Sequence, residues 1–261
     1  MNDLAEFIKN IQKSNDFRRI DLEGRVLVAH QAEFLPWLGF VSKASMGDYY
    51  LIIDNSQFKK EYFENRNKIR VKSDLGWEWL TVPVDNKTKI RNINEYSIAN
   101  EKYIKLHLKK IKYSYSRTKY FDEYFPKIEA IYKQKHLKLI DMNIALIKWA
   151  LDEFKITLPI FKLSIIEQDV EIKGKSTDWV VELCRACKAD VFVAGISGQK
   201  YLDKQKFREN NIQLVFQDFA HPKYEQYHGD FLQGMSFIDL LFNHGPDAIN
   251  ILGKSNYILG D

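Results

Sequence analysis

Residues 25–39 read Arg25-Val26-Leu27-Val28-Ala29-His30-Gln31-Ala32-Glu33-Phe34-Leu35-Pro36-Trp37-Leu38-Gly39, and the fold is decided by how they begin. Val26 to Ala29 is a short, uninterrupted apolar run, which suits a strand covered on both faces rather than one with a wet side. His30 falls at its C-terminal edge. After a loop from Gln31 to Leu38, Gly39 opens a short helix through Met46. Tyr49-Tyr50-Leu51-Ile52-Ile53 is then a second buried strand, ending at Asp54. Strand, helix, strand in this compass predicts a parallel unit.

Working outward, Leu4, Phe7, Ile8 and Ile11 recur at helical spacing, so an extra N-terminal helix is expected within residues 1–20. Trp77, Trp79, Thr81 and Pro83 alternate with their neighbours and predict an extended segment that ends, or lies at an edge, at Pro83. Residues 88–100 are polar and read as loop. From residue 101 to 154 the period changes to that of helices. Ile104, Leu108, Ile111 and Tyr115 form one apolar face, Phe121, Phe125, Ile128 and Tyr132 a second, and Leu137, Ile140, Ile144, Ile147 and Leu151 a third. α/β character then returns. Ile160 to Ile166 is expected to be extended, a helix to run from about Ser176 to Cys187, and Val191 to Ala194 to form a strand ending at Gly195. A further strand is expected at 212–216 and a helix at 235–242. The expected class is α/β, a mostly parallel, Rossmann-like sheet flanked by helices with an all-helical excursion at about 101–154, forming a single domain over residues 1–261.

Composition sets bounds on the function. With 45% hydrophobic and 28% charged residues among 261, the chain can bury enough apolar surface to fold as an ordinary globular protein. The formal net charge of +4 is scattered rather than gathered into a stripe, which argues against nucleic acid and leaves a modest attraction for anionic small molecules. No window approaches the roughly 18 apolar residues of a membrane span, and the first residues lack the apolar stretch of a secretion signal. The expectation is a cytoplasmic protein without membrane insertion. Cys184 and Cys187 are the only cysteines, too few for a disulfide framework, and a reducing compartment fits. Oligomeric state is not legible.

In open parallel sheets, ligands bind outside the carboxyl ends of the strands. His30, Asp54 and Gly195-Ile196-Ser197-Gly198 each terminate a strand and are expected on one rim. A histidine there can shuttle a proton or hydrogen-bond a phosphate, or it can simply cap loop amides. Asp54 can hold a metal, orient an amine or accept a ribose hydroxyl, or cap the next turn. Asn65, Arg66 and the neighbouring basic residues Lys59, Lys60, Lys68 and Arg70 can clamp an anion or form a solvated face. The two glycines around Ser197 lack the lysine and spacing of a phosphate-binding loop. The Cys-x-x-Cys pair has no second knuckle and reads as core, so no metal site is expected. His221-Pro222 near Tyr224 can line a pocket from a loop.

These residues together resemble the hallmark run of the WbqC-like family. His30 to Gly39, Asp54 with Gln57-Phe58, Asn65-Arg66 and Trp79 to Pro83 carry the first half of the likeness. Ala194 to Gly198 with Tyr201-Leu202, His221 to Tyr224 and Ser236 to Asn243 carry the second. One departure is Ala32, where the family usually has proline. The resemblance implies an enzyme of O-antigen or other surface-polysaccharide biosynthesis, proposed in that family to move glycine onto an amino sugar. It implies a nucleotide-linked amino sugar and an activated amino acid as partners, with ATP or an adenylate as the acyl donor's source. Carried over by position, it gives His30, Gln31, Asp54, Gln57, Asn65 and Arg66 as the leading site; within it His30 and Asp54 are expected to be catalytic, and Gln31, Trp37, Gln57, Asn65 and Arg66 substrate-binding. Gly195, Ser197, Gly198, Tyr201, His221, Tyr224, Asp239 and Asn243 form a second binding group. A weaker, architectural likeness is to nucleotidyltransferases of the HIGH-signature superfamily, whose second histidine is missing here. Nucleotidyl transfer without an acyl step, and sugar-nucleotide binding without chemistry, are the alternatives.

Overall fold

In the computed structural model residues 22–85, 91–254 and 256–259 are described; the expected N-terminal helix lies outside them. The elements, in chain order, begin with β1 (Val26–Gln31), α1 (Leu38–Ala44), β2 (Tyr49–Ile53), β3 (Arg66–Arg70) and β4 (Trp77–Thr81). The helical excursion follows as α2 (Lys102–Tyr115), α3 (Phe121–Lys133) and α4 (Leu139–Glu153). The chain returns through β5 (Ile160–Lys162), α5 (Leu163–Ile166), α6 (Thr177–Ala186), β6 (Val191–Gly195), α7 (Lys204–Glu209) and β7 (Gln213–Phe219). It closes with α8 (Phe237–His244), α9 (Ala248–Gly253) and β8 (Asn256–Leu259).

The main sheet has the order β5-β2-β1-β6-β7-β8, with every pairing parallel except β7 with β8. Numbering the five parallel strands by chain position gives 3-2-1-4-5, so the order reverses between β1 and β6. That reversal is the topological switch point of a doubly wound sheet, where adjoining connections leave to opposite faces and a crevice opens.

Alternation along the strands explains why both faces are dry. Val26 and Val28 of β1, with Tyr50 and Ile52 of β2, pack into the layer built from α1, α8 and the excursion helices. Leu27, Ala29, Tyr49 and Leu51 face the opposite layer, which Val181, Leu183 and Cys184 of α6 and Phe207 of α7 complete. Cys184 and Cys187 are buried there, and burial pushes both thiols up, Cys187 to about 12. They behave as small apolar side chains. None of the helices among the described residues is long and apolar enough to cross a membrane.

Some elements differ from expectation. The basic run at 66–70 is a strand that pairs antiparallel with 77–81 as a separate two-stranded sheet. Its alternation is disguised: Asn67 and Ile69 are buried, while Arg66 and Lys68 lie over the rings of Trp79 and Trp77, each at 4.2 Å from the ring centroid. Only 160–162 of the expected extended segment is strand, because Leu163–Ile166 turns into a helix.

Candidate functional site

The switch point sets His30 and Gln31, at the end of β1, one strand away from Gly195 at the end of β6. The His30 Nδ1 lies 3.0 Å from the Gln31 carbonyl. A carbonyl only accepts, so the neutral ring carries its hydrogen on Nδ1 and Nε2 keeps a lone pair. Burial, reinforced by the Lys43 ammonium, lowers the His30 pKa to about 4, so the imidazole is neutral around pH 7.

Behind His30 lies a buried polar cluster that the reading of the sequence did not single out. Glu33 Oε1 is 3.9 Å from His30 Nδ1, while Glu33 Oε2 has no hydrogen-bond partner. Burial pushes Glu33 up to about 8, with the neighbouring Glu64 carboxylate adding to the effect and Lys43 opposing it. Lys43 donates to the Ala29 carbonyl at 3.0 Å, and burial lowers its ammonium to about 8. Around pH 7 this cluster therefore holds a protonated Glu33, a charged Lys43 and a neutral His30. The Tyr50 hydroxyl, also buried and without a partner, is raised by burial and by Glu33. The sequence does not mark Lys43, a lysine in a short helix; only the burial of all seven helix residues sets it apart from an ordinary solvated lysine.

The loop after β1 is held by amides rather than by ring rigidity. Asn143 donates to the carbonyls of Ala32 and Glu64, at 3.0 and 2.7 Å, and Asn67 donates to those of Phe34 and Leu35, at 3.3 and 2.8 Å. These bonds tie residues 32–35 to 64–67 and so bring Asn65 and Arg66 alongside the His30 loop. Glu64 Oε2, Asn65 Oδ1 and Arg66 Nε, on consecutive residues, are all buried without a partner. Buried polar atoms are normally paired, so three unpaired ones on consecutive residues are a departure from the rule. The other face of Asn65 donates to the Val82 carbonyl at 3.0 Å. Trp37 sits edge-on to Phe219 with 5.2 Å between centroids, and its backbone pairs with Ser236.

The remaining expected residues fall elsewhere. Both oxygens of Asp54 are occupied, one by the Ser164 amide at 2.9 Å and the other by its hydroxyl at 2.6 Å. Asp54 thus fastens the end of β2 to the segment after β5, on the wall of a cleft of about 610 Å³ that also holds Arg91, Lys138 and Lys162. Gln57 is exposed, with its backbone bridged to Asn92. On the β6 side, Ser197 and Tyr201 are exposed, a side chain at Gly195 would meet open space, and Gly198 packs close to Ala194 and Phe216. The His221 Nδ1 faces the Pro222 carbonyl at 3.1 Å, its Nε2 is buried without a partner, and burial lowers its pKa. Tyr224, Asp239 and Asn243 belong to an internal network. Asp239, fully buried, accepts from the Tyr115 and Tyr224 hydroxyls, each at 2.9 Å, and from Gln226 at 2.8 Å. Asn243 donates to the Asp239 carbonyl and accepts from the Tyr227 amide.

A family model described as the WbqC-like protein family matches residues 31–251. A relative from Mycobacterium tuberculosis (strain ATCC 25618 / H37Rv), described as uncharacterized protein Rv1507c, is 29% identical over 225 residues, which cover 85% of this chain and 95% of the relative. No solved structure matches the chain.

Proposed function

The chain belongs to the WbqC-like protein family, and on that premise we propose that it is a cytoplasmic transferase that moves an activated aminoacyl group, of the glycine type, onto the amino group of a nucleotide-linked amino sugar for surface-polysaccharide biosynthesis. Residues 1–261 work as one catalytic domain in this reading, and ATP or an adenylate supplies the activated donor. The observation that carries it is His30: a neutral imidazole with its Nε2 lone pair unengaged, at the crevice where a doubly wound sheet holds its ligands.

Amide formation requires exactly what such a group supplies. The amine nitrogen attacks the acyl carbonyl, its N–H proton passes to His30 Nε2, and the acyl–oxygen bond of the donor breaks. The proton then goes from Nε2 to the departing oxygen, or to solvent where that oxygen belongs to a phosphate. A pKa of about 4 makes the free enzyme's His30 a weak base. The negative charge of bound phosphates favours the imidazolium and raises it toward the working range. Arg66 holds a carboxylate or phosphate through its unpaired Nε–H, and the unpaired Asn65 Oδ1 accepts from an N–H or O–H group of the same substrate. Gln31, Trp37 and Gln57 complete the near wall, and Gly195, Ser197, Gly198, Tyr201 and His221 the far one. Asp54 orients the amine by way of the cleft wall it fastens, since its own oxygens are engaged with Ser164.

The test is amide formation from ATP, glycine and a panel of nucleotide-linked amino sugars, chosen by which of them raise the melting temperature of the protein. His30→Ala is expected to lower turnover by about 10²–10⁴-fold without unfolding the chain. Undiminished turnover in that variant would sink the assignment. The strand-histidine-helix order of β1 and α1 also fits nucleotidyl transfer, which predicts pyrophosphate release with no amino-sugar acceptor present. Thermal shifts without turnover on any acceptor would instead make this a sugar-nucleotide binding protein.

A further inference from the structure

Lys43 has no part in the transfer step written above, yet it is only 7% exposed, on a helix whose seven residues are all buried. Lysine ordinarily carries its head group out to water along an apolar stem, and a buried ammonium is costly unless it is bonded. Its Nζ donates to the Ala29 carbonyl at 3.0 Å, so α1 grips β1 at the residue immediately before His30. Phe40 lies one turn earlier on the same face of α1 and meets the His30 ring edge-on, with 5.4 Å between centroids. That face therefore holds both the ring and the strand end from which the ring projects.

Charge acts at the same place. His30 is faced by Lys43 from α1, by Lys59 from the segment after β2 and by Glu33 from the loop after β1, with Oε1 3.9 Å from Nδ1. Glu64 and Tyr50 face Glu33 in turn. Both ammoniums disfavour an imidazolium, Lys43 more than Lys59, and a protonated Glu33 sets no charge against them. Burial alone also favours the neutral ring; Lys43 adds to it a charge at a fixed place, tied to the strand by its own hydrogen bond.

We propose that Lys43 is a positioning residue for His30: it fixes the end of β1 through the Ala29 carbonyl, and its charge keeps the imidazole in the neutral form that accepts a proton at Nε2. The use of that proton acceptor in amide formation rests on the transfer reaction proposed above; the hold of Lys43 on the ring does not.

Nitrogen NMR of the histidine rings of the full chain tests this, with the His30 signals assigned by their loss in His30→Ala. In Lys43→Met, which keeps an unbranched side chain of similar length without the charge, the His30 titration midpoint is expected to rise by about one pH unit or more. Lys43→Arg, which keeps the charge, is expected to hold the midpoint near the wild-type value. A lysine that serves packing alone would leave the midpoint unmoved in Lys43→Met, and equal shifts in the Met and Arg variants would trace the change to lost packing; either result overturns the proposal. Glu33→Gln supplies a test that needs no change at Lys43. It removes the neighbour that titrates in the same range, so the His30 ring shifts are expected to follow the discharge of Lys43 as pH rises, with a midpoint at or below about 8 because Glu33 no longer supports the ammonium. A flat ring response through that range also overturns the proposal. None of these readouts needs turnover, so full activity in His30→Ala would sink the transfer reaction and leave the effect of Lys43 on the ring to be judged by itself.

Discussion

At the scale of single residues, the chemistry of the site is set by groups that share one buried environment and answer it differently. Burial disfavours whichever form is charged, so it lowers His30 and Lys43 and raises Glu33. Glu33 then binds its proton in the native state through the window between the ordinary value of 4.5 and about 8, whereas in the unfolded chain it releases it near 4.5. The native state therefore binds more protons across that window, and Glu33 costs stability progressively as pH rises through it. Glu33→Gln removes the ionisable group, so its stability relative to wild type is expected to improve by about 1–3 kcal/mol between roughly pH 5 and pH 8. Urea unfolding of both proteins at the two pH values measures this, and a constant difference would mean that Glu33 is not held protonated. His30 was legible because it ends an apolar run, and strand ends are where sites gather. Glu33 and Lys43 were not, since a carboxylate in a loop and a lysine in a short helix look solvated until the burial of their neighbours is known.

At the scale of elements, the short helix α1 shows how tightly the entry to the site is built. All seven of its residues are buried, and the Gln217 amide donates to the Gly39 carbonyl and to the Ser42 hydroxyl, each at 3.2 Å. Gly39 is needed for space: a Cβ there would fall 2.2 Å from the outer ring of Trp37, which cannot shift without disturbing its contact with Phe219. Gly39→Ala is expected to destabilise by about 1–3 kcal/mol through overpacking. Trp37→Phe removes the colliding ring, so the double variant should be more stable than the sum of the two single changes, a coupling readable from denaturant midpoints. Strict additivity would show that the glycine serves some other purpose. The excursion helices α2, α3 and α4 were legible because three apolar faces of 3.6-residue period have no other use. The β3 strand was not, because its outward residues are arginine and lysine, and the tryptophans that shelter them belong to a strand that only folding brings near.

At the scale of the whole molecule, a chain can announce that β1 and β2 are parallel and buried, yet the apolar runs of β5, β6 and β7 are interchangeable in character. Which side of β1 each one takes is decided by packing, and the switch point exists only because that choice reverses between β1 and β6. The same distance from local signal separates family likeness from role. Asp239 lies in a sequence block that resembles the family, but it joins Tyr115 of α2 and the Tyr224–Gln226 loop to α8, and it lies in the field of the Arg70 guanidinium on the hairpin. Since α8 begins with its Phe237 amide on the Pro36 carbonyl, 2.9 Å away, this network also props the loop that carries Trp37. Burial raises the Asp239 carboxyl, while the hydroxyls and the amide that bond it pull the other way. Truncating it would leave two hydroxyls, one amide and a guanidinium without their acceptor or counter-charge. Asp239→Ala is therefore expected to cost about 3–5 kcal/mol of stability, the range for removing one partner from a buried charged network. A melting curve and a turnover assay on the same preparation divide the two roles. Loss of stability, with activity per folded molecule retained at low temperature, makes Asp239 a brace for the site. A wild-type melting temperature with turnover abolished would move it to the substrate and require Tyr224 and Asn243 to be reconsidered beside it.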